Sequence, residues 1–182
     1  MSDRTPLVVL GLGNVLLEDD GVGAAAVALL RDRYVAPPGV LVLDGGTLGL
    51  ALLPYLEAAD NLILVDAIRT NEPAGTLVRL QDDEVGPAVA TRLSVHQVGV
   101  ADLLDAARWL DRYPERVTLL GLVPDSMQLG VGLSPCVKPS LPMLVDSVVD
   151  EARGLGFAFD RRTGDETPDA HSVDVARLSG MS

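Results

Sequence analysis

The chain has 182 residues, a formal net charge of −12 and one cysteine, Cys136. This length suffices for one domain with a full core and is short for two. The acidic balance argues against a nucleic-acid surface, because phosphate binding needs clustered Lys and Arg. A single cysteine excludes an intramolecular disulfide framework and a thiolate zinc cage. No basic segment precedes an apolar one at the amino terminus, and no apolar run approaches membrane-spanning length, so we expect a cytoplasmic protein without a membrane partner.

The first half of the chain predicts strands that alternate with helices. Short runs of Leu, Val and Ile indicate buried strands, and an alanine-rich stretch indicates a helix that ends before Pro37. The predicted strands are residues 7–12, 40–43 and 61–65, the predicted helices are residues 21–34 and 51–57, and residues 75–80 predict an edge strand.

The second half opens with a helix start signal. Ser94 and Gln97 have the spacing of a capping box and apolar residues follow at helical spacing, which places His96 in the first turn of that helix. From Asp160 onward, polar and small residues predict a disordered tail over 160–182, behind a single domain of residues 1–159. Before it we predict a strand over 117–123, an irregular segment over 124–139 and an amphipathic helix over 141–152.

Alternating strands and helices predict an α/β fold. We expect a three-layer sandwich with a twisted, mostly parallel sheet of about five strands, helices on both faces and one antiparallel edge strand. In such sheets, binding sites gather at the carboxyl ends of the strands.

Three ionisable residues lie at or beside those predicted ends: Asp20, Asp66 and His96. Two carboxylates and one imidazole suit a divalent first-row metal such as zinc or nickel. A helix amino terminus disfavours imidazolium, so we expect His96 to be neutral and able to bind the metal. Simpler interpretations are that Asp20 caps the next helix, Asp66 is an ordinary turn acid and His96 is a surface histidine.

Two other patterns give weaker signals. Gly11 and Gly13 begin a dinucleotide-binding pattern, but Leu16 stands where its third glycine belongs, which argues against nucleotide binding. Cys136 has no histidine near it in the sequence, and His171 lies in the predicted tail. Neither forms a nucleophilic arrangement, and the sequence leaves the catalytic residue unidentified.

Five segments in a fixed order resemble the maturation endopeptidases of nickel-iron hydrogenases. With their spacing they cover most of the chain from Leu7 to about Gly154. The segments are GLGNVLLEDDGVG at 11–23, DGGTLG at 44–49, LILVDAI at 62–68, SVHQVGVADLL at 94–104 and GLVPDSMQLGVGLSPCV at 121–137.

The resemblance implies an endopeptidase of aspartyl type that removes a short carboxyl-terminal extension from the hydrogenase large-subunit precursor after nickel insertion. The family's metal-contacting positions fall on Asp20, Asp66 and His96, where the substrate's nickel would bind and zinc or cadmium could replace it. Some members carry Glu where this chain has Asp20, so Glu18 and Asp19 remain alternative ligands should the loop be shifted. A segment associated with recognising the correct hydrogenase matches Asp44, Gly45, Gly46 and Thr47, whose glycines would let a partner backbone approach closely.

The chemistry leaves alternatives open. The metal could polarise the scissile carbonyl or activate a water, with one carboxylate as general base. Other functions to weigh are a non-catalytic nickel-sensing chaperone of the large subunit and a small-molecule metal-dependent hydrolase. A protease needs an open groove for an extended peptide, and we expect residues 81–93 and 124–139 to form its walls. Nothing in the sequence demands more than a monomer.

Overall fold

The computed structural model describes residues 4–90 and 99–163. In these residues a five-stranded sheet is covered by helices on both faces, which confirms the predicted three-layer α/β class. None of the described helices is both long and apolar enough to span a membrane.

Four parallel strands and one antiparallel edge strand form the sheet. In chain order they are β1 (Thr5–Leu12), β3 (Val40–Gly46), β4 (Ala59–Ala67), β5 (Leu77–Gln81) and β6 (Arg116–Leu122). Their spatial order is β3-β1-β4-β6-β5, and β5 is the antiparallel edge strand that the sequence predicted. Two further short strands, β2 (Tyr34–Val35) and β7 (Asp160–Arg161), pair with each other outside the main sheet.

Alternate side chains of the sheet pack into two separate apolar layers. On β1, Leu7 and Val9 face α1 (Val22–Arg33) and α5 (Leu141–Gly154), whereas Val8 and Leu10 face the opposite layer. That layer contains α2 (Leu53–Ala58), α3 (Val85–Ala90) and α4 (Val100–Trp109). Because both faces of the central strands are buried, their sequences are continuously apolar instead of alternating.

Helix α3 corrects the expectation of a loop over residues 81–93. The backbone N–H of Gln81 donates to the Glu84 carboxylate over 3.1 Å and starts a 3-10 turn, Asp82–Glu84, that leads directly into α3. Val85 and Val89, four residues apart, are both buried against the sheet. Only this helical periodicity, rather than the polar start of the segment, indicates the helix.

Helix α4 begins later than the sequence predicted. Its first residue is Val100, Gly99 before it has an extended backbone, and the N–H of Gly99 donates to the Asp102 carboxylate over 2.9 Å. Ser94, Gln97 and His96 lie outside the described residues. Since His96 precedes α4 by four residues, it is not in the first turn of that helix, and the helix-terminus argument for a neutral imidazole does not apply to α4.

The described fold continues past the predicted domain end at residue 159. Strand β7 pairs with β2, and the N–H of Arg162 donates to the carbonyl of Arg33 over 2.9 Å. The remainder of the predicted tail, residues 164–182, lies outside the described residues.

The start of α1 packs directly on the sheet because Gly23 has no side chain. A Cβ at Gly23 would lie 2.2 Å from the Val65 carbonyl oxygen and 2.3 Å from that of Leu12. These are backbone atoms of β4 and β1, which cannot move aside cheaply. The contact fixes the first turn of α1 over the carboxyl ends of two neighbouring strands.

We expect Gly23→Ala to lower the free energy of unfolding by about 2 kcal/mol or more, since the new methyl group must push α1 off the sheet. Gly154→Ala, in the last turn of α5, is the matched control because a Cβ there meets nothing within 4 Å. That variant should be neutral or up to about 1 kcal/mol more stable, owing to the higher helix propensity of Ala. Urea unfolding followed by circular dichroism measures both, and equal effects at the two positions would refute the packing argument.

Candidate active site

The carboxyl ends of four parallel strands meet at one edge of the sheet. Gly11 of β1 pairs with Asp44 of β3 on one side and with Val65 of β4 on the other, and Asp66 pairs with Gly121 of β6. The backbones of Asp44 and Asp66 are therefore about two strand spacings apart, or roughly 10 Å. Two of the sequence-predicted segments thus end at the same edge.

The loop after β1 brings Asp20 to this edge as well. Gly13 adopts a φ of +112°, and a Cβ there would overlap the carbonyl oxygen of Asp20, so only glycine permits this close approach. The N–H of Asn14 donates to Oδ2 of Asp20 over 2.7 Å, and the Asn14 side chain in turn accepts from the N–H of Leu16. Asp20 belongs to the 3-10 turn Glu18–Gly21, which contacts β4. Asp20 and Asp66 consequently share one end of the sheet.

Asp66 is a buried acid at the end of β4. Its side chain is 2% exposed, and Oδ1 accepts the N–H of Ala67 over 2.8 Å. Carboxylates are rarely this buried unless they are paired or bind a cation, so this is not an ordinary turn acid on the surface.

Asp19, which the sequence suggested only as an alternative to Asp20, is fully buried and has a different role. Its Oδ2 accepts the N–H groups of Asp125 and Ser126 over 2.9 and 3.0 Å, and its Oδ1 accepts the N–H of Ser134 over 2.7 Å. The N–H of Asp19 also donates to the Ser126 carbonyl. One carboxylate thus holds together the loops that follow β1 and β6. We call these contacts the Asp19 clamp.

The clamp holds Asp19 in its charged form. Burial by itself would raise the pKa of the Asp19 carboxyl, but the hydrogen bonds from the backbone N–H groups of Ser126, Ser134 and Asp125 outweigh it, and the net pKa is lowered. Glu18, the other alternative ligand, lies over Gly130 and also faces the loop after β6. Among the three consecutive acids, Asp20 remains the candidate ligand beside β4.

The segment predicted to recognise the substrate is built differently from a plain turn. Asp44, Gly45 and Gly46 belong to β3, and Oδ1 of Asp44 accepts the N–H of Gly46 over 3.1 Å. The carbonyl of Gly46 accepts the N–H of Gly13, which ties the segment to the loop that holds Asp20. Gly45 is buried beneath Leu10 and Leu52, so its missing side chain serves internal packing instead of the expected approach of a partner. Thr47 is the exposed member of the segment.

The remaining candidates divide between described and undescribed residues. His96 and His171 lie outside the described residues, whereas Cys136 is exposed. Over residues 4–90 and 99–163, no three His, Cys, Asp or Glu side chains lie close enough together to hold a metal. The two predicted carboxylate ligands are therefore placed at one edge, and the predicted imidazole stays a prediction.

An open pocket of about 300 Å³ lies beside the Asp19 clamp. Its wall includes Asp125 and Ser126, whose N–H groups the clamp holds, and its one described basic group is Arg69, just after β4. The complete lining is Arg69, Thr70, Val123, Pro124, Asp125, Ser126 and Met127. The sequence gave no sign of this pocket, because its two walls are more than fifty residues apart in the chain.

The sequence and the fold both have relatives among known proteins. The family described as "Hydrogenase maturation protease" matches residues 25–151. A curated relative, the hydrogenase 2 maturation protease of Escherichia coli, is 38% identical over 151 residues that cover 82% of this chain and 92% of the relative. The hydrogenase expression/formation protein HupD of Rhodobacter capsulatus is 39% identical over 154 residues, covering 83% and 73%. The solved structure of the hydrogenase maturating endopeptidase HybD from Escherichia coli superposes with a TM-score of 0.82 at 37% identity, covering 86% of this chain and 98% of that one.

We expect Asp19→Asn to lower the free energy of unfolding by about 3 kcal/mol, because an amide has one acceptor oxygen and leaves buried N–H groups unpaired. Glu18→Gln, in the same turn, should change the free energy by less than about 0.5 kcal/mol. Since the folded pKa of Asp19 lies below its unfolded value, its contribution is full above about pH 4 and is lost as the pH falls through the folded pKa. Urea unfolding at several pH values should show a shallower acid dependence for Asp19→Asn than for the parent chain. An unchanged dependence would contradict the clamp.

Proposed function

This chain belongs to the hydrogenase maturation protease family, and from that premise we propose that it removes a short carboxyl-terminal extension from the nickel-loaded large subunit of a nickel-iron hydrogenase. It is a hydrolase, an endopeptidase whose substrate is a hydrogenase large-subunit precursor. The observation that carries the proposal is the placement of Asp20 and Asp66 at one sheet edge in a chain similar to these proteases over more than four fifths of its length. We place the reaction in the cytoplasm and assign it to the monomer.

The nickel is part of the substrate in this proposal. Asp20, Asp66 and His96 bind it when the precursor docks, and zinc or cadmium can take its place. Carboxylate oxygens and an imidazole nitrogen form a ligand set that first-row divalent ions accept. A backbone N–H orients each of the two described carboxylates, from Asn14 to Asp20 and from Ala67 to Asp66, so little side-chain ordering is left for the binding step.

This arrangement makes nickel insertion the condition for cleavage. The bound ion positions the precursor and polarises the scissile carbonyl, while Asp20 or Asp66 accepts a proton from the attacking water. The new C–O bond then replaces the C–N bond, and the leaving amine takes up the proton. A precursor without nickel lacks the ion that joins its carboxyl-terminal segment to the two carboxylates.

An extended peptide fits the edge better than an enclosed small molecule does. The pocket beside the Asp19 clamp is open, and its volume of about 300 Å³ is at the lower end of the range for small-molecule sites. Asp44, Gly45, Gly46 and Thr47 lie on the other side of the loop after β1, where we assign them to recognition of the correct large subunit. Thr47 is the side chain of this segment that is exposed to a partner.

We expect Asp20→Asn, Asp66→Asn and His96→Gln each to slow cleavage of the nickel-loaded precursor at least about a hundredfold, because each removes a ligand or the proton acceptor. Intact mass of the precursor measures the loss of the terminal peptide. Cys136→Ser and His171→Gln are the matched controls and should cleave at the parent rate. Full activity in all three ligand variants, with their folding checked by circular dichroism, would refute the site.

We also expect nickel-loaded precursor to be cleaved and nickel-free precursor to remain intact under the same conditions. Reconstitution of the nickel-free precursor with nickel should restore cleavage. Binding of the loaded precursor without any change of mass would instead favour the nickel-sensing chaperone. Equal cleavage of both precursors would remove nickel from the recognition step.

A further inference from the structure

Four large apolar side chains are exposed on the two loops that the Asp19 clamp joins. Val15 and Leu16, after β1, are 52% and 54% exposed, and Leu129 and Val131, after β6, are 85% and 86% exposed. We call these four residues the apolar rim. Exposed apolar side chains are unremarkable when scattered singly, but a contiguous group marks an interaction surface.

Backbone pairing makes the rim contiguous. Leu17 and Gly130 form a parallel β-bridge, in which the N–H of Gly130 donates to the Leu16 carbonyl over 2.9 Å and the N–H of Glu18 donates to the Gly130 carbonyl over 3.0 Å. Leu16 and Leu129 each directly precede a bridge residue, so they lie side by side at about the spacing of neighbouring strands. The rim is thus held by hydrogen bonds and is not formed by two independent loops.

The rim adjoins the candidate active site. A Cβ at Gly21 would lie 3.0 Å from Cα of Val15, so Val15 covers the residue after Asp20. Leu16 is bonded through its N–H to the Asn14 side chain, and the N–H of Asn14 donates to Asp20. A partner bound at the two carboxylates would therefore extend over the rim.

Exposed apolar groups are unevenly distributed over the described surface. Eight large apolar side chains are exposed there, and six of them lie on segments that follow the carboxyl ends of parallel strands. These six are the four rim residues, Leu50 in the turn after β3 and Met143 at the start of α5. Trp109 and Leu110, at the end of α4, lie at the opposite end of the sheet because β6 begins just after them.

We propose that the apolar rim is the surface on which the folded large-subunit precursor docks, through an apolar patch beside its own carboxyl-terminal segment. This inference rests on the proposed function, since it names the surface that the same substrate uses. The commitment to that partner follows from continuity, because the rim and the two carboxylates share one backbone hydrogen-bond network. The acids around the rim, among them Glu18 and Asp125, favour a partner patch bordered by Lys or Arg.

A docking role predicts an effect on affinity and not on the chemical step. Leu129→Ser with Val131→Ser removes apolar area without adding charge, and both positions are so exposed that folding should be unaffected. We expect this double variant to raise KM, and Kd measured by biolayer interferometry, by about tenfold or more, with kcat at saturating nickel-loaded precursor within about twofold of the parent value. Trp109→Ser with Leu110→Ser is the matched control and should leave KM, Kd and kcat unchanged.

The outcomes separate this inference from the proposed function. If the parent chain cleaves the precursor and the rim variant has the same KM and Kd, the rim is not the docking surface although the protease assignment stands. If the parent binds without cleaving and the rim variant binds about tenfold more weakly, the docking inference stands although the protease assignment fails. A parent dimer in light scattering that the rim variant converts to monomer would assign the rim to a second copy of this chain and overturn the proposal. A loss of kcat alone would also overturn it.

Discussion

The buried carboxylate of Asp19 is the interaction on which the functional edge depends. It is fully buried and accepts three backbone N–H groups from the loop after β6, so the charge is compensated by donors that no side-chain movement can withdraw. Because those donors lie more than a hundred residues away in the sequence, one side chain closes a long loop and fixes its shape. The pocket wall at Asp125 and Ser126 and the bridge between Leu17 and Gly130 both depend on the same contacts.

A division of labour among three consecutive acids follows from the geometry of a single turn. The 3-10 turn Glu18–Gly21 directs neighbouring side chains to different surroundings, so that Asp19 faces the loop after β6 while Asp20 faces the loop after β1. The turn is held in place by Gly23, which lets α1 rest on the carbonyl oxygens of β1 and β4. Stability and function are thus assigned to adjacent residues, which is economical in a small domain but makes substitutions at either position hard to interpret without a folding control.

Much of the fold could be predicted from local patterns. Continuous apolar runs predicted β1, β4 and β6, and the antiparallel edge position of β5 also followed correctly from the sequence. The helix α3 was missed because its segment starts with acidic residues, and the start of α4 was placed too early because Ser94 and Gln97 have capping-box spacing whereas Gly99 and Asp102 form the observed start. Such errors arise because several short signals compete within a few residues and only packing against the sheet selects one.

The sequence by itself determined the fold class, the family resemblance and the choice of Asp20 and Asp66 as carboxylates at strand ends, because periodicity and strand-end position are local properties. Tertiary structure alone decided that Asp19 is a structural anion, that Gly45 packs inside the protein and that Val15 and Leu129 belong to one exposed rim. These facts depend on hydrogen bonds and contacts between segments far apart in the chain. A residue's type states what it can bind, but only the folded backbone determines which donors reach it and which of its neighbours stay in water.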